Sequence, residues 1–413
     1  MERETTLKKV YVHQNSDGCI ESFLDFKNAR KVLLEDDWEI TDRPEEAEML
    51  LVNTCVVGKY VEDHCLGEIQ ALQAKKRDDA ELVVTGCMPE YAPQRLAKAG
   101  VDFSFGPQNF ASFRRRYGLR PPKKEAHTLE PDHLGPYNLF NWGGRLLSKA
   151  EALGLPLPSY LYRRFALVED SNMEFLRISR GCLENCTYCA TRFATGRLVS
   201  EPMEKILARV DDLLASGRRS IVLCGEDSGA WGRDIGYTFA DLLEKLLSRP
   251  HPDLVLSIRQ HQPNWAMKEL PRYLELLSDK RVKSIMLPIQ SGSDRILKLM
   301  GRRYTAAQAE DMIHRIHEAA PQAMLRTHVI VGFPTETWEE YLMTERLIRR
   351  TSWDMVLVFP YTDRPRTGAA RIKQKVPTKE IVKRTARLNA WVLWDVYLNR
   401  GNPFPIVRKN PMS

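Results

Sequence analysis

No run in this 413-residue chain approaches the roughly 18–20 apolar residues that cross a bilayer, and the start, MERETTLKKV, has no apolar stretch of the signal-peptide kind. A membrane protein and a secreted one are therefore not expected, and a cytoplasmic location is. Cysteine is scarce, with eight residues, and without a secretory signal these point to metal or redox chemistry before a disulfide framework. There is no internal repeat and no low-complexity tract. Excess charge is also small. The net +7 is spread along the chain, and pairs such as Arg218–Arg219 or Arg302–Arg303 do not by themselves establish nucleic-acid binding.

What is present is regular alternation. From residue 173 to 375, six short apolar segments alternate with helical patterns: FLRIS (175–179), SIVLC (220–224), LVLSIR (254–259), SIMLPI (284–289), MLRTHVIV (324–331) and MVLVFP (355–360). Between the first two, EPMEKILARVDDLLAS puts Ile206, Val210, Leu213 and Leu214 on one face, with Pro202 at its start and Gly217 past its end. Six strand–helix units predict a parallel sheet curved into a partial (β/α)6 barrel, with function at the carboxyl ends of the strands. Residues 1–120 show a smaller version, with strands near 8–13, 49–53, 82–85 and 102–105, as in a doubly wound α/β domain. Residues 121–172 read as a turn-rich connector, and 376–413 as a helix followed by a tail.

Six of the eight cysteines lie in loops that follow strands. Cys182, Cys186 and Cys189 lie within RGCLENCTYCATRFATGR, just after the first barrel strand. A closed zinc site takes four ligands, yet the next cysteine is Cys224 and the nearest downstream histidine His251. An iron–sulfur cluster held by three thiolates leaves one iron open, and the CxxxCxxC spacing with Tyr188 before the last cysteine favours that over zinc. In the first domain Cys19, Cys55 and Cys87 follow three strands. In a parallel sheet those ends share one edge, so the thiols are expected to converge; the alternative is ordinary burial of cysteine in an α/β core.

CLENCTYC resembles the cluster loop of radical S-adenosylmethionine enzymes, and the chain from about residue 8 to 375 is similar to the methylthiotransferase family among them. The likeness is carried by EEAEMLLVNTCVV, VVTGCMPEY and VDFSFGPQN, then by ISRGCLENCTYCATRFATGRLVSEP, LPIQSGSDRILKLMGRRYT and VIVGFPTETWEEY. It implies two [4Fe–4S] clusters with open irons and S-adenosylmethionine as cofactor. Cys182, Cys186 and Cys189 would hold the cluster that yields a 5′-deoxyadenosyl radical; Cys19, Cys55 and Cys87 would hold the one that delivers sulfur. A second S-adenosylmethionine would supply methyl, so that C–H becomes C–S–CH3, with a low-potential electron donor as partner. Cofactor contacts are expected from Tyr188, Gly225 and Glu226 at the second strand end, and from Arg197, whose guanidinium suits a carboxylate. Gln290, Ser291 and Ser293 (ribose) and Gly332 (adenine) complete the expected set, while Cys65 and Cys224 are expected to be packing residues.

There are four departures from the family pattern: Ile20–Glu21–Ser22 after Cys19, Met286 where His is common, His328 where Asp is usual, and Arg366 at a glycine position. The family's small all-β domain after the barrel is not expected in the residues that follow 376. On that ground the substrate is expected to be a peptide or protein side chain, with transfer RNA adenosine-37 as the alternative. Sulfur insertion without methylation, and a non-catalytic iron–sulfur or zinc module that binds RNA, are the other readings.

Overall fold

A computed structural model describes residues 7–15, 19–122, 128–129 and 173–395. Most of the 121–172 connector and the tail past 395 lie outside the described residues. In the first domain, β1 (Lys8–Gln14), β2 (Trp38–Thr41), β3 (Met49–Thr54), β4 (Glu81–Gly86) and β5 (Phe103–Ser104) form a parallel sheet in the order β2-β1-β3-β4-β5. This is a doubly wound order with its switch point between β1 and β3, where such folds place their ligands. All six residues of β3 are buried, which is why its first four, MLLV, read as an apolar run and not as alternation. The sequence pattern missed β2, a four-residue edge strand, WEIT, with only Trp38 buried.

The second sheet contains β7 (Met173–Arg177), β10 (Ser220–Cys224), β11 (Val255–Ile258), β12 (Val282–Met286), β13 (Met324–Val331) and β14 (Met355–Pro360). They are parallel and adjacent in chain order, the partial six-stranded barrel expected. Two additions escaped the sequence reading. β6 (Thr128–Leu129) pairs antiparallel with the free edge of β7, and β8 (Ser179–Arg180) pairs with β9 (Val199–Ser200) across the cysteine loop. Outward residues Ile221, Leu223, Leu256, Ile258, Ile285, Leu325 and Val329 pack against the surrounding helices in one core. Three helices start where the sequence supplies a capping box: Thr238 with Asp241, Thr305 with Gln308 and Thr337 with Glu340. The segment MKELPRYLELL is divided between helices Pro263–Lys268 and Leu270–Leu277 because Pro271 cannot donate within a helix and so begins a new one.

The inner face of β7 and β10 is not open to solvent. Ile20, Phe23 and Leu24, from the helix Ile20–Leu34 of the first domain, pack on Phe175, Val222 and Cys224. Each such side chain contributes about 1.5–3 kcal/mol on burial. The first domain is thereby seated on the barrel mouth beside the cysteine loop.

Candidate active site

Because β1, β3 and β4 are neighbours, Cys19, Cys55 and Cys87 leave three adjacent strand ends on one edge. Cys19 is the N-cap of the helix Ile20–Leu34, where the helix dipole favours negative charge. The edge is tied by Ser22 Oγ donating to Asn53 Oδ1 (2.9 Å), Thr54 Oγ1 donating to the Thr85 carbonyl (2.6 Å) and Cys87 N–H donating to the Thr54 carbonyl (3.0 Å). Cys55 lies close enough to Cys19 and Cys87 for the three thiols to influence one another's titration. The Cys19 thiol is pushed well up by its bond with Cys55 and by burial. In Cys55 the bond with Cys19 lowers the pKa, but the bond with Cys87 and burial outweigh it.

In the second triad, Gly181 adopts φ +77, and a Cβ there would sit 2.1 Å from the Arg197 carbonyl oxygen, so only glycine lets the loop close. Cys182 N–H donates to the Gly196 carbonyl (3.3 Å), Gly181 N–H to Glu226 Oε2 (2.7 Å) and Glu184 N–H to Cys182 Sγ (3.3 Å). Thr187 anchors the far side through the Met300 and Leu299 carbonyls. Burial and the nearby Asp227 push the Cys182 thiol up; burial and Cys186 do the same for Cys189. Glu226, raised to about 7 by burial and by Glu21, lies just beyond.

These thiols gather at one place, half-buried to buried, with the Arg302 guanidinium acting on Cys186. As they stand no three of them close into a metal-binding group among the described residues, but thiols of this kind, once deprotonated, are ligands for a metal centre. Cys19, Cys87, Cys182, Cys186 and Cys189 all line one cavity of ≈ 330 Å³, and Cys55 lies immediately behind it. Tyr188, Gly225, Glu226 and Gln290 line the same cavity.

The other expected contacts are placed elsewhere. Arg197 is exposed and does not line the cavity; it is the carbonyl of this residue that packs against Gly181. Ser291 Oγ bonds Thr344 Oγ1 (3.2 Å), and Ser293 caps the helix Asp294–Leu299 and donates to Glu340 Oε1 (3.0 Å). Gly332 N–H donates to Glu336 Oε2 (2.7 Å), and its Cα abuts Ile381. None of the three lines the cavity: Ser291 and Ser293 bond to the helix Trp338–Arg350, and Gly332 bonds within its own loop. Cys65 and Cys224 are fully buried among apolar residues, as expected of packing cysteines.

Sequence reasoning missed the residues that join the two triads. Asp25, on the Cys19 helix, accepts from Arg177 Nη1 (2.7 Å) and Arg180 Nη1 (2.9 Å), and Arg177 Nη2 donates to the Glu21 carbonyl (2.7 Å). Burial raises the Asp25 pKa, but Arg177 and Arg180 more than reverse it, so the carboxyl stays ionised. An arginine inside the apolar run FLRIS was the available signal, since a buried charge requires a partner. A second tie joins Arg364 to Glu62 (3.2 Å), Tyr91 Oη to the Pro365 carbonyl (3.1 Å) and Arg366 Nη1 to the Glu90 carbonyl (2.8 Å).

A partial barrel with a three-cysteine loop after its first strand defines the radical S-adenosylmethionine class, and residues 176–348 match the Radical SAM superfamily. Residues 9–106 match an uncharacterized protein family, UPF0004. Among relatives, a probable threonylcarbamoyladenosine tRNA methylthiotransferase of Pyrococcus horikoshii is 31% identical over 370 residues, covering 89% of this chain and 80% of that protein. A tRNA-2-methylthio-N(6)-dimethylallyladenosine synthase of Halalkalibacterium halodurans is 31% identical over 386 residues, covering 91% and 66%. The Drosophila melanogaster threonylcarbamoyladenosine tRNA methylthiotransferase is 30% identical over 345 residues, covering 83% and 58%, so the chain spans less than two thirds of some relatives. In fold, the chain resembles the radical S-adenosylmethionine methyltransferase TsrM of Kitasatospora setae (TM-score 0.58, 14% identity, 88% of this chain and 75% of that one). The chain belongs to the radical S-adenosylmethionine methylthiotransferase family, which is a family of enzymes. Among the described residues no helix is long and apolar enough to cross a membrane.

Proposed function

We propose that the chain is a cytoplasmic tRNA methylthiotransferase that converts a C–H bond of an N6-modified adenosine to C–S–CH3. The observation that carries the reading is that five cysteines of two groups, from different domains, line one cavity of ≈ 330 Å³, with Cys55 behind Cys19 and Cys87. Cys182, Cys186 and Cys189 would hold one [4Fe–4S] cluster, and Cys19, Cys55 and Cys87 a second. When bound with S-adenosylmethionine, these groups supply radical generation and sulfur. The protein's own part is to hold both thiol sets against one cavity. Asp25 does this by clamping the Cys19 helix to Arg177 and Arg180, five and two residues before Cys182. Gly225 and Glu226 offer a backbone group and a carboxylate for the amino acid end of the cofactor, and Tyr188 and Gln290 border its place.

The relatives' names favour the tRNA alternative over the peptide substrate that the sequence first suggested. The test is anaerobic reconstitution followed by turnover on total tRNA and on a candidate peptide, with a low-potential reductant. About eight irons per chain are expected, with 5′-deoxyadenosine, S-adenosylhomocysteine and a methylthio mass gain in tRNA. Four irons, or no gain in tRNA, refutes the proposal. A bare sulfur gain would instead indicate sulfur insertion without methylation.

A further inference from the structure

The cavity lined by the cysteines also carries two buried polar atoms that have no hydrogen-bond partner in the protein. His328 lies on the inward side of β13 and lines the cavity, and its Nε2 is buried with no hydrogen-bond partner. Gln290, at the end of the loop after β12, is tied to the same strand. Its N–H donates to the His328 carbonyl (2.9 Å), and its own carbonyl accepts from Ile330 N–H (3.0 Å). Its side chain is only 6% exposed, and Oε1 is likewise without a partner. Its φ of +66 is a left-handed conformation that non-glycine residues rarely adopt. Phe359, on the neighbouring strand β14, stands edge-on to the His328 ring at 5.3 Å and 80°, and lines the cavity while 38% exposed.

Two buried polar atoms without partners, next to a strained backbone and an accessible aromatic ring, are disfavoured in an empty fold. They suit a planar ligand with a donor and an acceptor side by side. Burial, reinforced by Arg259 and Arg302, lowers the His328 pKa to about 3, so the ring is neutral and offers one N–H and one lone pair. The family's usual Asp at this position would offer acceptors only. A purine with N6–H beside N7 has the matching pattern.

We propose that His328 and Gln290 bind the N6/N7 edge of the substrate adenine, with Phe359 against the base. The assignment rests on the tRNA reading above. His328 N–H donates to N7, Gln290 Oε1 accepts from N6–H, and the opposite edge of the ring, with C2, faces the cysteines. The same two residues could instead serve the adenosine of S-adenosylmethionine, and the experiment separates these occupants.

Reconstituted enzyme is assayed on an anticodon stem-loop RNA carrying the N6-modified adenosine and on the same RNA with its 7-deaza analogue. Wild type is expected to lose about tenfold in kcat/KM on the 7-deaza RNA, the worth of one buried hydrogen bond. His328→Ala is expected to lose the same factor on the natural RNA and to be indifferent to the 7-deaza change, as a coupled pair requires. His328→Gln, which retains an N–H donor at similar reach, should restore part of the discrimination. Equilibrium dialysis should give an unchanged S-adenosylmethionine affinity in both variants. Wild type that ignores the 7-deaza change, or a His328→Ala variant that keeps the penalty, overturns the proposal. So does a variant whose only defect is in S-adenosylmethionine affinity. Wild type inactive on the natural RNA would instead refute the tRNA reading itself.

Discussion

Each cysteine triad contains one glycine immediately before a cysteine, and replacing each in turn should disable one triad and spare the other. At Gly86, φ is +93, and a Cβ would lie 2.0 Å from the Thr54 carbonyl oxygen. At Gly181, φ is +77 and the corresponding distance to the Arg197 carbonyl oxygen is 2.1 Å. Both obstacles are backbone atoms and cannot rotate aside. The left-handed conformation costs alanine about 1–2 kcal/mol, and forcing the contact apart about 1–3 kcal/mol more. A total of about 2–5 kcal/mol is larger than the worth of the single bond from Cys87 N–H to the Thr54 carbonyl, so that bond should yield first. Thr54 directly precedes Cys55, and Gly86→Ala therefore separates Cys55 from Cys87. Gly181→Ala separates Cys182 from the 196–197 turn. After anaerobic reconstitution, Gly86→Ala should hold about four irons, with the barrel triad loaded, and Gly181→Ala about four with the other triad loaded. Cysteine-to-alanine replacement of the intact triad in each background should then remove the remainder. The reasoning is refuted if both variants hold eight irons at wild-type melting temperature, or if each loses iron from the wrong triad.

Three further predictions test the frame around the site. His261 is buried, with neither ring nitrogen hydrogen-bonded, stacked on Tyr273 at 5.0 Å, and burial lowers its pKa to about 3. Its neutral form is favoured on folding, so the associated stability is complete above pH 6.5 and declines as pH falls toward 3. His261→Phe should melt near wild type at pH 8 and above it at pH 4.5; a difference independent of pH refutes this. Arg384 Nη1 pairs with the buried Glu336 at 2.7 Å, and Glu336 in turn accepts from Gly332 N–H. Arg384→Ala should cost about 3–5 kcal/mol by leaving a buried carboxylate unpaired, measured by denaturant unfolding; a loss below 1 kcal/mol would show that the pair is not carrying that loop. Arg366 has φ +70, bonds the carbonyls of Glu90 and Tyr91 and covers Phe193. Arg366→Gly relieves strain but removes the tie, so hydrogen exchange should rise in 88–91 while the melting temperature changes by less than a few degrees.

The sequence discloses elements through periodicity and chemistry through spacing, and both were informative here. SIVLC, MLRTHVIV and MVLVFP coincide with β10, β13 and β14 as apolar runs between turn residues; β10 and most of β13 are buried on both faces, whereas β14 is largely half-buried or exposed. The strand-end positions of Cys19, Cys55 and Cys87 were legible for the same reason, since a parallel sheet puts every carboxyl end on one edge. The domain contacts were not legible. Asp25 looks like any acidic residue on a helix until Arg177 and Arg180 meet it from more than 150 positions away. Ser291, Ser293 and Gly332 fit a cofactor-loop pattern, but capping and close-approach roles use the same residue types, and only coordinates distinguish bonds made within the protein from groups offered to a ligand. Arg366 shows the converse. A residue that breaks the family's glycine pattern is explained once its guanidinium is seen on the carbonyls that follow Cys87. Both ties, Asp25 beside Cys19 and Arg366 beside Cys87, act on the residues flanking the first domain's cysteines. The position of that triad relative to Cys182 is therefore set by side chains on the barrel, and loosening either tie should alter the distance between the triads before it alters either triad.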